Sequence, residues 1–189
     1  MPSSPPVQAL VVVDMQTGFV SGDHAVPSAE KLVPVVRRLL ERARAAGSLV
    51  VHLQNDGAPG TPDEPGTGTW RLHLPAEAGE PVISKSVDDG FDRTELGAIL
   101  VAHGIRRLAI CGVQSEMCVG ATARTALDRG YGVVLPHDAH ATYDVPAPPG
   151  GTEGVPAAQA ARVAEWALGD GVEVVATSAE VTFAPGIRP

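Results

Sequence analysis

The sequence predicts an α/β fold, a three-layer α/β/α domain built on a six-stranded, mostly parallel sheet of Rossmann-like type. Three observations predict it. Short continuous apolar runs, such as ALVVV at 9–13 and LVVHL at 49–53, have the pattern of strands buried on both faces. Between them lie stretches whose apolar residues recur at helical spacing. The two kinds alternate along the whole chain, which is the arrangement of helices laid over both faces of a parallel sheet.

The elements follow in order. After the first strand, a polar, Gly-containing loop runs from 15 to 27, and Ser28 is placed to cap a helix carrying Leu32, Val36, Leu39, Leu40 and Ala43 on one face. Gly47 ends it, and the second strand follows at 49–53. Residues 56–80 are then dense in Gly, Pro, Asp and Thr but include Trp70, Leu72 and Leu74, so an ordered excursion forming pocket wall is expected. The third strand is PVISK at 81–85. Asp92 and Glu95 stand at capping-box-like spacing before a helix with Leu96, Ile99, Leu100 and His103, stopped by Gly104. The run RLAICGVQSEMCVGATARTALDR at 107–129 reads as a strand, a polar turn and an amphipathic helix with Cys118 in its first turn. Strands at 131–135 and 172–176 flank a Pro/Gly-rich connection, 145–156, and a helix at 157–168. The tail after Thr177 reads as irregular.

At 189 residues with 44% hydrophobic composition, the chain can bury one sizeable core and is short for two. One domain over 7–189 is expected, preceded by a disordered leader at 1–6, MPSSPP. A net charge of -8 disfavours nucleic acid or an anionic membrane as partner, since both require clustered Lys and Arg. No apolar run approaches the roughly 20 residues that span a bilayer. Two cysteines are too few for a disulfide framework, and with no secretory pattern at the start a cytoplasmic location is expected.

In parallel sheets of this kind the ligand site lies outside the carboxyl ends of the strands. Asp14, Lys85 and the turn before Cys118 all follow such ends, so a carboxylate, an ammonium and a thiol are expected to converge there as base, charge stabiliser and nucleophile. A cysteine in the first turn of a helix sits among unpaired N–H groups and the positive end of the dipole, which favours thiolate. Cys111, on the strand itself, reads as core.

The segments LVVVDMQTGF at 10–19, VISK at 82–85 and GVQSEMCV at 112–119 together resemble the isochorismatase-like cysteine hydrolases, a superfamily that includes nicotinamidase, N-carbamoylsarcosine amidohydrolase and streptothricin hydrolases. The similarity spans nearly the whole chain in the same order. It implies Asp14 as general base, Lys85 as its cationic partner and Cys118 as the nucleophile that forms a thioester with an amide, ureido or lactam carbonyl. It also implies a cis peptide between Val113 and Gln114, with the backbone N–H groups of Gln114 and Cys118 forming the oxyanion hole. Homodimers or homotetramers are implied as well. Some relatives bind metal through an Asp-x-His after the second strand. Here that stretch reads HLQNDGAPG at 52–60, so no metal and no cofactor are expected, and His73, His137 and His140 read as surface or supporting residues.

Phe19, Trp70 and Phe91 lie just beyond strand ends or in the long loop, and with Gln16 they are the candidates for binding a small amide substrate. Two other functions compete. Isochorismatase proper cleaves a vinyl ether without needing the cysteine, and a non-catalytic binding module of the same fold would be expected to have lost one of the three residues. A nucleotide-binding Rossmann protein should carry a glycine-rich turn after its first strand, and DMQTGFVSG does not supply G-x-G-x-x-G.

Overall fold

Strand β1, Ala9–Val13, is buried at every position, and its alternating side chains divide the core in two. Leu10 and Val12 point into one apolar cluster and Ala9, Val11 and Val13 into the other. The structure, a computed structural model, describes residues 4–186. Residues 1–3 of the expected leader and 187–189 of the domain lie outside the described residues. Of the leader, 4–6 are exposed and irregular, and the Pro5 carbonyl accepts a hydrogen bond from Arg107 Nε at 3.1 Å.

One cluster is closed by helix α2, Ala29–Ala45, through Leu32, Val36, Leu39 and Leu40. A short helix α1, Thr17–Val20, precedes it. The other cluster is closed by α3, Leu96–Ala102, and α4, Gly120–Asp128, through Leu96, Leu100, Ala123 and Ala126. This is the three-layer arrangement the alternating elements predict. The sheet also contains β2, Leu49–Asn55; β3, Val82–Lys85; β4, Arg107–Val113; β5, Gly132–Pro136; and β7, Val172–Val175. Their order is β3-β2-β1-β4-β5-β7, and every pairing is parallel.

Several details differ from expectation. Beside the six strands of the ordered path, as expected, a seventh two-residue strand, β6, His140–Ala141, pairs with β4. Two residues carry no readable periodicity. Strand β2 continues two residues past Leu53 to Asn55, which lies in register with Lys85. Ser28 and the Asp92–Glu95 pair do not cap their helices through side chains. Cys118 lies in a π-helical turn, Ser115–Val119, which leads into α4, instead of in the first turn of an α-helix. The tail after Thr177 contains a capped turn, Ser178–Glu180, and Phe183 bridges to Val7. Helix α5, Ala157–Ala167, turns Ala160, Ala161, Ala164 and Glu165 inward. Among the described residues no helix is long and apolar enough to cross a membrane.

The order reverses direction between β1 and β4, since chain progress runs outward from β1 through β2 and β3 on one side and from β4 through β5 on the other. The crevice beyond the carboxyl ends of β1 and β4 is therefore the switch point where open α/β sheets place their ligands.

Candidate active site

The backbone makes this crevice narrow. Asp14 leaves β1 with φ of 49°, an unusual value for a residue with a side chain, and its N–H is bound to Leu53 O at 3.0 Å. Gly112, paired with Val13, has φ of 122°, and a Cβ there would fall 2.0 Å from the Val13 carbonyl oxygen. Only glycine lets β4 approach β1 this closely. The next peptide along, Val113–Gln114, is cis.

Around this point the ends of four strands deliver polar side chains. Lys85 Nζ donates to Asp14 Oδ2 at 2.8 Å, to Asn55 Oδ1 at 3.1 Å and to Cys118 Sγ at 3.2 Å. Its three protons are thereby matched to three acceptors. The Lys85 side chain is 0% exposed and that of Asp14 2%, so the pair is removed from water. Asp14 Oδ1 is also buried and has no hydrogen-bond partner among the described residues. Asp88 Oδ1 lies 3.6 Å from Cys118 Sγ on the outer side.

These contacts set the protonation states. Burial pushes the Asp14 carboxyl up, the Lys85 ammonium partly offsets this, and the result is a pKa of about 6. For Lys85 burial works against the charge, but Asp14 and Cys118 more than restore it, holding the ammonium above its ordinary value. Cys118 is pushed up by burial first and by the Asp14 carboxylate second, which together outweigh Lys85. The direction is opposite to the one a helix end favours.

Cys118, Asp14, Gln114 and Phe19 line a cavity of about 280 Å3, with Asn55, Asp63 and Asp88 among its further walls. Of the candidate binding residues, the structure places Phe19 there and turns the other three elsewhere. Phe91 is 4% exposed, stacked on Tyr131 at 6.2 Å with Arg129 over its ring at 4.7 Å, and it belongs to the core under α3 and α4. Trp70 donates from Nε1 to Asp56 Oδ1 at 2.9 Å, and its carbonyl accepts from Gln16 and Gln54, both at 2.9 Å. Gln16 is fully buried; its amide also donates to Asn55 O and accepts from Asn55 N, so it fastens the long loop to β2. Both are structural supports of the wall and do not face the cavity.

Asn55 and Asp63 were not anticipated. Asn55 accepts from Lys85 and donates to Asp63 Oδ2 at 2.6 Å, linking the lysine to the cavity wall. The strand-end rule that gathers Asp14 and Lys85 also finds Asn55 once β2 is extended to its true end. Asp63 and Asp88 come from loops with no periodic signal. In the stretch where metal-binding relatives have Asp-x-His, His52 is buried and bonded to Glu80 at 3.0 Å, and Asp56 is engaged by Trp70. Among the described residues, the group with metal-ligating geometry is His137, His140 and Glu165, outside this cavity.

Comparison with known proteins agrees with this architecture. The isochorismatase domain model matches residues 8–167. A streptothricin hydrolase from Streptomyces noursei is 62% identical over 186 residues, covering 97% of this chain and 74% of that protein. A ureidoacrylate amidohydrolase from Variovorax paradoxus is 32% identical over 169 residues, covering 69% of this chain and 67% of its own length. The crystal structure of an isochorismatase from Pseudomonas putida superposes with a TM-score of 0.85 at 31% identity, covering 95% of this chain and 94% of the other.

Proposed function

The chain belongs to the isochorismatase family, and from that premise we propose that it hydrolyses a carbon–nitrogen amide, ureido or lactam bond of a small molecule through a thioester on Cys118. The observation that carries this reading is the triple contact of Lys85. One ammonium holds Asp14 Oδ2 and Cys118 Sγ together and leaves Asp14 Oδ1 buried without a partner among the described residues. A base with an unoccupied oxygen and a pKa of about 6, next to a protonated sulfur, is arranged for proton transfer coupled to attack.

In the first half-reaction Sγ attacks the carbonyl carbon as its proton passes to Asp14. The negative charge that develops on the carbonyl oxygen is met by the backbone N–H groups of Gln114 and Cys118. Asp14 then gives the proton to the departing nitrogen, the C–N bond breaks, and an acyl thioester remains. In the second half Asp14 takes a proton from water as the water oxygen attacks the thioester. The C–S bond breaks, the acid leaves, and the proton returns to sulfur. Lys85 keeps its charge throughout, steadying Asp14 in the ionised form and the sulfur as it becomes anionic.

Phe19 supplies one apolar wall, and a cavity of about 280 Å3 fits the reacting portion of a small molecule. Streptothricin-type lactams come first as candidates because of the 62% relative, and ureido acids second. We propose further that the protein acts as a homodimer or homotetramer in the cytoplasm. Val163 and Trp166 on α5 are 63% and 76% exposed, apolar surface suited to a second copy, and both cysteines are free. The test is release of amine, ammonia or ring-opened acid from a panel of lactams, ureas and primary amides, repeated after iodoacetamide. Turnover of a panel member that alkylation of Cys118 stops is the expected result. No turnover of any member, or turnover indifferent to alkylation, would overturn the reading.

A further inference from the structure

A second buried polar chain reaches the nucleophile turn from the side away from the cavity. Ser115 is the first residue of the π-helical turn, and its Oγ lies 2.8 Å from His140 Nδ1. His140 Nε2 lies 3.0 Å from Glu165 Oε1, and the same oxygen is 2.6 Å from His137 Nδ1. Arg162 Nη1 stands 3.4 Å from the other carboxylate oxygen. Ser115, His140 and Glu165 are all buried, while the His137 side chain is 52% exposed. Burial pushes the Glu165 carboxyl up, but the bonds from His140 and His137 outweigh it and keep the group ionised.

An ionised Glu165 fixes the donor at its own end of the chain, and a neutral imidazole at His140 fixes the rest. A carboxylate only accepts, so His140 donates from Nε2; in the neutral imidazole Nδ1 is then the acceptor, and Ser115 donates its hydroxyl proton to it. The order Ser–His–Glu is that of a nucleophilic triad, but Ser115 does not line the catalytic cavity. Its backbone does matter there, because it follows Gln114 directly and begins the turn that ends at Cys118 and Val119. The support also runs through β6. His140 is in register with Gly112, and Thr142 Oγ1 donates to Glu116 Oε1 at 2.8 Å. The segment 112–116 is therefore pinned to residues 140–142 at three points.

We propose that Ser115, His140 and Glu165 are positioning residues for the hydrolytic reaction, holding the turn so that the Gln114 and Cys118 N–H groups converge on one oxygen. The inference rests on the cysteine-hydrolase reading above. It places the cost of losing the chain on oxyanion stabilisation and not on the sulfur or on substrate affinity. A misdirected donor loses much of what a well-aimed one contributes.

The experiment compares wild type with Ser115→Ala, Ser115→Thr and Glu165→Gln in four readouts. These are kcat and KM on the amide that wild type turns over, the rate of Cys118 acylation by p-nitrophenyl acetate, the rate of Cys118 alkylation by iodoacetamide, and the melting temperature. Ser115→Ala is expected to lower kcat and the acylation rate about tenfold or more, with KM and alkylation within about twofold. Ser115→Thr, which keeps the hydroxyl, restores both. Glu165→Gln, if folded, shows the same split. Nitrogen-15 NMR of wild type should find His140 as the Nε2–H tautomer. Unchanged kcat and acylation in Ser115→Ala, or equal loss of acylation and alkylation, overturns the proposal. So does an Nδ1–H tautomer of His140 together with stoichiometric cobalt(II) binding abolished in Glu165→Gln, which makes the cluster a metal site. If wild type turns over no amide but is acylated by the ester, the substrate reading fails and the acylation rates still decide this one. If it is not acylated, both fail.

Discussion

Lys85 Nζ lies 3.2 Å from Cys118 Sγ and donates to it, yet burial and the Asp14 carboxylate together outweigh the ammonium and push the thiol's pKa up. The three groups are set so that burial and the carboxylate disfavour an anion on sulfur while the ammonium favours it. In the proposed mechanism thiolate arises when Asp14 accepts the proton, so the base would govern reactivity.

The first prediction is an acid limb in kcat/KM at about pH 6, set by Asp14. Below it Asp14 is protonated and cannot act as base, and above it activity reaches a plateau. No basic limb from Lys85 is expected below its ordinary value of 10.5, because its pKa is raised. Stability runs the other way. The folded state holds the Asp14 proton more tightly than the unfolded chain, whose value is near 3.8, so this contribution is present below that pH and lost as pH rises through about 6. A pH–rate profile beside a pH–melting profile checks both signs.

Replacing Lys85 by Met removes the charge that lowers the Asp14 pKa. The acid limb should move upward, and turnover at pH 7 should fall by about 100-fold or more. A limb that stays in place would disconnect Lys85 from Asp14.

Cys118→Ala should abolish turnover, a loss beyond about 1,000-fold, with a melting temperature close to wild type. Cys118 is only part-buried at the edge of the apolar cluster under α3 and α4, and the substitution removes a single sulfur atom, so little packing is lost. Mass spectrometry of wild type quenched during turnover should find the acyl group on the peptide containing Cys118.

Two phenylalanines should separate cleanly. Phe19→Ala is expected to raise KM about tenfold with a small change in stability, since the ring faces the cavity. Phe91→Ala should cost about 3–5 kcal/mol and leave kcat and KM of the folded protein unchanged, since the ring lies in the core. Steady-state kinetics and urea unfolding distinguish the outcomes.

Gly112→Ala should destabilise by at least about 3 kcal/mol, because the added Cβ would stand 2.0 Å from Val13 O at a φ of 122°. The urea midpoint measures this directly.

Much of this site could be read before the coordinates, and for a physical reason. Buried parallel strands are legible as apolar runs, and the residue that ends such a run is placed by the sheet itself, so Asp14 and Lys85 were bound to meet. Asn55 is not legible because the apolar run closes at Leu53, although the last two polar residues, Gln54 and Asn55, still pair with β3. The aromatic residues failed differently. Proximity to a strand end does not state which way a ring turns, and Phe91 turned to Tyr131 and Arg129 while Trp70 turned to Asp56. The protonation of Cys118 was beyond reach, since it depends on the balance of burial and two charges and not on residue types. Strand β6 and the chain from Ser115 to Glu165 join residues whose spacing has no period.

The fastening of the long loop has one more consequence. Gln16 and Gln54 both grip the Trp70 carbonyl, and Asn55 holds Asp63, so the wall opposite Cys118 is anchored to β1 and β2 before any substrate arrives. Such a preorganised mould gives up little ordering entropy on binding, and widening it would break those bonds. A molecule larger than about 280 Å3 must present its scissile group inside and keep the rest in the open. The enzyme therefore selects by the end it admits, and whatever lies outside the rim is free to vary.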